Sequence, residues 1–299
     1  TSVTGVQTCA LPILQPINAF ELDAAILFSD ILTIPDSFGL GVEFIENEGP
    51  VFKNPISNST DIKNLNHFDP ESLDYVYKAV NNIKSSLPEE IPLIGFCGSP
   101  WTLAAYSIEG RSSKDFEKTL GFLESNQKDV HDLLTKYTDA CFLYLRKQVQ
   151  SGADVIQIFD SWANLLTKED LIEFSFNYIN SLISALKLDP VTKNIPVIIF
   201  ARNPKCNIEE LINTSADCIS LFWSMNDLNF EVAKNKVAIQ GNLDPKILLE
   251  SDETIKRETY KILERFKEYP GYIFNLGHGI TPDISPDKIK YLTNIVREY

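Results

Sequence analysis

Asp30 follows the apolar run of residues 24–28 with only Ser29 between them, and a second apolar group, residues 31–34, closes at Pro35. A carboxylate set between two apolar runs is seldom buried without a partner. One reading is local: Asp30 caps a short helix that begins at Ile31. The other is chemical: a fixed negative charge at the C-terminal end of a buried strand, held for a cationic or N–H-rich ligand. Further residues able to do chemistry stand at comparable places just past short apolar runs. They are Phe96, with Tyr106 ten residues on, Ser161, Arg202 and His278. With Asp30 they offer a carboxylate, a guanidinium, an imidazole, two hydroxyls and an aromatic face, a set suited to hydrogen bonding and to holding charge.

Taken singly, these residues have ordinary readings. His278 is one of three histidines, with His67 and His131, and lies between Gly277 and Gly279, where the backbone can turn sharply and approach a ligand. No second His or Cys shares its spacing, so a metal site is not indicated. Ser161 lacks a G-x-S-x-G setting and alone reads as a helix cap. Tyr106 alone reads as a core aromatic. The pairs Gly39/Gly41 and Gly277/Gly279 do not complete G-x-G-x-x-G, so no dinucleotide fingerprint is present.

Composition removes other classes. The 299 residues carry a net charge of −14 and no Lys/Arg block, which argues against nucleic acid as a partner. No run of 18 apolar residues exists, so no transmembrane helix is expected. The five cysteines (9, 97, 141, 206 and 218) are scattered and form no CxxC, which fits a reducing, cytoplasmic compartment without a metal framework.

The elements that must hold these residues alternate in type. Buried strands are expected near 24, 91, 154, 195, 218, 237 and 272. Helices are expected at 70–87 and 102–109, as a pair broken near Asn126 between 114 and 149, and at 167–187, 207–215, 226–235, 246–267 and 286–298. Residues 38–52, punctuated by Gly39, Gly41, Gly49 and Pro50, read as a hairpin excursion. Alternating strands and helices imply parallel βαβ units. The even spacing predicts a (β/α)8 TIM barrel, an α/β fold, with its first strand missing, and in such a barrel function sits where strands end. Residues 1–13, TSVTGVQTCALPI, are small, uncharged and patternless. They resemble translated adaptor read-through and are expected to be a disordered, non-native leader. Residues 14–299 then form a single barrel domain, with the natural chain beginning near Leu14 and lacking its true N-terminus. Removing one strand from a closed barrel leaves two open edges.

Seven blocks carry a family resemblance: 28–35 (FSDILTIP), 49–52 (GPVF), 95–106 (GFCGSPWTLAAY), 109–110 (EG), 157–161 (QIFDS), 240–245 (QGNLDP) and 275–283 (NLGHGITPD). In this order and spacing the chain, over 14–299, resembles the uroporphyrinogen decarboxylases. The resemblance implies a cofactor-free enzyme of haem biosynthesis that removes CO2 from the four acetate side chains of uroporphyrinogen to give coproporphyrinogen. It also implies a (β/α)8 barrel, a cytoplasmic homodimer and a tetrapyrrole as the small-molecule partner. Asp30 matches the aspartate that accepts pyrrole N–H groups, and Tyr106, Ser161 and His278 match substrate-contacting residues. Phe96 matches an aromatic packed on the macrocycle. Two departures stand out. The Arg-Gln-Ala-Gly-Arg-Tyr stretch, whose arginines bind substrate carboxylates, is absent, which leaves Arg202 as the arginine to place near the pocket. Phe222 stands where an Asp commonly precedes the Trp, so one polar contact is missing. On this account the chain as written is expected to be inactive. Two other readings compete. Corrinoid methyltransferases share the fold but need His and Cys zinc ligands at strand ends, and residues 201–206 (ARNPKC) hold no His. A non-catalytic tetrapyrrole-binding relative would gain only from the missing arginines.

Overall fold

The computed structural model describes residues 5–27, 29–45 and 49–299, with side chains from residue 13 onward. The chain enters through α1 (Gly5–Phe20) and β1 (Ala25–Ile26), then forms an antiparallel hairpin of β2 (Val42–Ile45) and β3 (Gly49–Phe52). There follow α2 (Asp74–Ser86), β4 (Leu93–Gly98), α3 (Pro100–Glu109), α4 (Glu117–Ser125) and α5 (Gln127–Gln150). Next are β5 (Val155–Asp160), α6 (Asn177–Leu188), β6 (Val197–Ala201), α7 (Ile208–Ile212) and β7 (Cys218–Ser220). The chain closes with β8 (Ala238–Gln240), α8 (Asp252–Phe266), β9 (Tyr272–Ile273) and α9 (Pro286–Glu298).

The main sheet has seven parallel strands in the order β1-β4-β5-β6-β7-β8-β9. Spatial order follows chain order without reversal. That is the winding of a barrel wall, not of a doubly wound open sheet, which reverses at a switch point. All seven strands lie where sequence periodicity put them. Register separates the two faces. Cys97, Ile158, Ile199, Ile219 and Ile239 pair across β4 to β8 as one row, each at most 1% exposed, facing the helices. Gly98, Phe159, Phe200, Ser220, Gln240 and Ile273 pair as the adjoining inward row.

Among the described residues, β1 and β9 are the sheet's two edges. Ile26 and Ile273, inward on those edges, are 41% and 45% exposed. Helices α1 and α9 pack across this opening, and Arg297 donates to Asp23 (3.1 Å) and to the Glu21 carbonyl. An apolar cavity of about 330 Å³, lined by Pro16, Leu276, Ile289 and Val296 among others, remains there.

Local chemistry sets the boundaries that matter for the site. The Ser99 hydroxyl caps α3 by accepting from the Thr102 N–H, Pro100 fills its first turn, and left-handed Gly110 ends it. The break near Asn126 separates α4 from α5 as expected.

Three expectations need correction. The helix expected at 226–235 is a single 3₁₀ turn, Phe230–Val232. Asn226 turns its side chain onto the Trp223 carbonyl and Asn235 adopts φ +64°, so polar side chains compete with the helical ladder. The helix expected at 246–267 is divided: Asp244 caps a 3₁₀ turn, Pro245–Leu249, and Ser251 caps α8 separately. Helix α1 starts at Gly5, so the backbone of residues 5–13 is helical where disorder was expected. Ile13 and Ile17, one turn apart, are buried in the main core, which gives that helix its apolar face.

Candidate active site

Asp30 follows β1 and is half-buried. Its Oδ1 accepts from the Leu32 N–H at 2.8 Å, and its carbonyl from the Thr33 N–H at 3.3 Å. It therefore opens a hydrogen-bonded turn over residues 30–33, but the cap residue of the helical turn Thr33–Pro35 is Leu32, so the local reading of Asp30 as the cap of a helix beginning at Ile31 is not taken up. Among the described residues Oδ2 takes no hydrogen bond, so the carboxylate also remains available as the chemical reading required. Burial raises its pKa; the Leu32 N–H opposes that rise and the Asp36 charge adds to it.

Tyr106 projects from α3, half-buried between Trp162 and Phe116, whose ring centres are 5.7 and 5.8 Å away in edge-on contact. Burial raises its phenol pKa. The Trp162 and Ser112 side chains pull it down, while Asp30 raises it and Arg202 lowers it. The opposed charges of Asp30 and Arg202 thus act on the same hydroxyl with opposite sign. The buried Trp162 indole N–H lies beside that phenol and makes no hydrogen bond of ordinary geometry.

Arg202 leaves the end of β6, where its N–H donates to the Asp160 carbonyl at 2.9 Å. Its Cζ lies 5.6 Å from the centre of the Trp162 ring. Ser161 sits between Asp160 and Trp162. It does not cap the turn Ala163–Leu165, whose cap residue is Trp162, so the expected helix-cap role is not taken up.

His278 is exposed, with its ring centre 6.0 Å from that of Phe222 and 6.4 Å from that of Phe200. Phe200 meets Phe159 at 6.0 Å, and Phe159 meets Phe96 edge-on at 5.5 Å. An aromatic row therefore runs inside the wall from Phe96 on β4 to the His278 loop. Gly277 is required for a reason other than the one expected. It does not take positive φ; instead, a Cβ there would lie 2.3 Å from the Trp223 backbone nitrogen. Close packing of loop on loop places His278.

The geometry gathers Tyr106 and Arg202 on Trp162, next to Ser161 in sequence, and sets Phe96 and His278 at the two ends of the aromatic row, while Asp30 is linked to Tyr106 and Arg202 through the field that both charges exert on the phenol. Trp162, Phe159 and Phe200 complete the arrangement and were not singled out from sequence. The period-2 spacing of Phe159 and Phe200 within their strands marked them as facing inward. Asp160, the last residue of β5, carries a fully buried carboxylate. Oδ1 accepts from Ser99 Oγ and Thr102 Oγ1, both at 3.0 Å, and Oδ2 from Ser175 Oγ at 2.5 Å. Burial raises its pKa against those bonds. Among the described residues no three His, Cys, Asp or Glu side chains converge as a metal site.

The family model described as uroporphyrinogen decarboxylase (URO-D) matches residues 6–299. A uroporphyrinogen decarboxylase from Vesicomyosocius okutanii subsp. Calyptogena okutanii is 45% identical over 288 residues, 96% of this chain and 82% of that protein. One from Ruthia magnifica subsp. Calyptogena magnifica is 44% identical over 289 residues, 96% of this chain and 83% of that protein. Among solved structures, a methyltransferase from Methanosarcina mazei superposes with a TM-score of 0.74 at 17% identity, covering 98% of this chain and 85% of the other. That likeness carries the fold alone.

Proposed function

The chain belongs to the uroporphyrinogen decarboxylase family and is a carboxy-lyase acting on uroporphyrinogen, and we propose that it works at the C-terminal mouth of the barrel with Asp30 as its charge-stabilising group. Loss of CO2 from a pyrrole acetate needs an electron sink. Protonation of the pyrrole ring supplies one, so no cofactor is invoked. The protonated ring carries positive charge, and a preorganised carboxylate beside it lowers the barrel-bound transition state more than the ground state. Asp30 suits that task, and its Oδ2 has lone pairs to accept pyrrole N–H groups.

Tyr106, Ser161, His278 and Arg202 then hold substrate carboxylates through hydrogen bonds and charge. Phe96 packs against the macrocycle. We further propose a homodimer in the cytoplasm; no helix among the described residues is long and apolar enough to cross a membrane. The observation that carries the reading is that Trp162 holds both the Tyr106 ring and the Arg202 guanidinium beside the aromatic wall, with Asp30 following β1 of the same sheet. The test is anaerobic incubation with uroporphyrinogen, oxidation and mass spectrometry. Stepwise loss of CO2 supports it and overturns the expectation that the chain as written is inactive, whereas binding without mass loss supports either that expectation or a non-catalytic relative, which the same assay with the Arg-Gln-Ala-Gly-Arg-Tyr stretch restored tells apart.

A further inference from the structure

We propose that Gln148, on the outer helix α5, is a positioning residue for Asp30: its side chain replaces β1 at the top of the sheet and releases Ser29 and Asp30 from it. This rests on the reading of Asp30 given above. The ladder shows the substitution directly. Even-numbered residues of β4 turn their backbone toward β1: the Ala25 N–H donates to the Pro92 carbonyl at 3.0 Å and the Leu27 N–H to the Ile94 carbonyl at 2.9 Å. Continued in the same parallel register, the next rung would join Phe96 N–H to the Leu27 carbonyl and Ser29 N–H to the Phe96 carbonyl.

That rung is occupied by a side chain. Gln148 Oε1 accepts from Phe96 N–H at 2.9 Å, and Gln148 Nε2 donates to the Phe96 carbonyl at 2.9 Å. One amide thus satisfies both groups that β1 would otherwise bond, and Gln148 is fully buried. With its partner taken, Ser29 and Asp30 have no rung to stay on in the sheet, and Asp30 is free to accept from the Leu32 N–H. Two neighbours fit this role. Gly95 leaves the room, since a Cβ there would lie 2.5 Å from Gln148 Oε1. Tyr144, one turn earlier on α5, has its hydroxyl beside those of Ser29 and Thr33. The same helix therefore occupies the vacated rung and packs against the turn that follows the departing segment.

The test uses Gln148→Met, which keeps size and removes both hydrogen bonds, and Gly95→Ala, which displaces the amide without altering it. In either variant β1 is expected to extend onto Phe96, so that amide exchange of Ser29 slows at least tenfold in the full chain. Unchanged Ser29 exchange in a folded Gly95→Ala variant overturns the proposal. Turnover separates it from the reading of Asp30. Gln148→Met should lower kcat about tenfold with KM little changed, and should have no further effect in an Asp30→Asn background. Independent, multiplicative losses would overturn the positioning role, whereas full activity of Asp30→Asn alone would overturn the role of Asp30 and leave the ladder result standing.

Discussion

Arg202 stacks its guanidinium over the Trp162 indole, with Cζ 5.6 Å from the ring centre. Trp162 also meets the Tyr106 ring edge-on at 5.7 Å. One aromatic side chain thus orients both a cation from the end of β6 and a phenol from α3. A guanidinium held this way loses less freedom on binding a carboxylate than one free in solvent. In a chain of net charge −14, the proposed binding role of Arg202 would give a polyanionic substrate one fixed positive contact.

Trp162→Leu should therefore weaken substrate binding without abolishing chemistry. A cation–π contact is worth about 0.5–2 kcal/mol, or roughly 2- to 30-fold in KM. Arg202→Met should raise KM at least as much, and Arg202→Lys should restore only part of it because a lysine lacks the planar fork. Steady-state kinetics at two salt concentrations check this, because the Arg202 contribution should shrink as salt rises. A KM for Arg202→Met equal to that of the parent would remove Arg202 from the binding set.

Asp30→Asn should leave substrate affinity near its starting value and cost on the order of 100-fold or more in kcat, the loss expected when a preorganised charge is removed from a transition state. Asparagine keeps an Oδ1 for the Leu32 N–H, so the turn should survive. Burial has raised the Asp30 pKa, so ionising it costs stability. The variant should therefore melt no lower than the parent at neutral pH. A rate within about threefold of the parent would end the catalytic assignment.

The same raised pKa gives activity a direction in pH. In its proposed role Asp30 must be ionised to accept pyrrole N–H groups and face a cation. Activity should fall as pH drops through its folded pKa, at a pH above the ordinary carboxylate value of about 4. A pH profile of kcat/KM, with Asp30→Asn as the control lacking that limb, reads this out. An acid limb that persists unchanged in the variant would belong to another group.

His278, Tyr106 and Ser161 are expected to bind carboxylates rather than pass protons. Replacing one removes a hydrogen bond to a charged group, worth roughly 1.5–3 kcal/mol, or about 10- to 150-fold. Partly decarboxylated intermediates should then be released early and be seen by mass spectrometry. Complete inactivation by His278→Asn with substrate still bound would instead make His278 a general acid.

The strands were legible because runs such as residues 154–160 and 195–201 are apolar, short and bounded by turn residues. The ends of those strands, and hence Asp30, Ser161 and Arg202, followed from them. What sequence could not disclose is pairing between distant residues. Gln148 and Phe96 stand 52 positions apart, and nothing local marks a glutamine on α5 as the cap of a β-ladder. Gly277 signalled a special backbone, but its reason lies in Trp223, on another loop. The 226–235 segment has helical periodicity, and its asparagines overrode that pattern.

Asp160 tests how the site is held rather than how it reacts. Its buried carboxylate joins three elements: Ser99 and Thr102 at the start of α3, which carries Tyr106; its own strand end, which carries Ser161 and Trp162; and Ser175 in the helical segment before α6. Burial raises its pKa, so the folded state holds the proton more tightly than the unfolded chain. Stability should then fall as pH rises from about 4 through the folded pKa, because in that window the unfolded state binds fewer protons. Asparagine does not titrate and can still accept from Ser99 and Thr102 while donating to Ser175 Oγ. Melting curves of Asp160→Asn and the parent should therefore diverge as pH rises across that window, with the variant gaining relative stability, and run parallel above it. Ser175→Ala removes one hydroxyl from the carboxylate, which raises its pKa further and should carry the parent's decline on to higher pH. In the Asp160→Asn background that substitution should cost markedly less. Equal costs of Ser175→Ala in both backgrounds would mean that the 2.5 Å contact does not stabilise the charge.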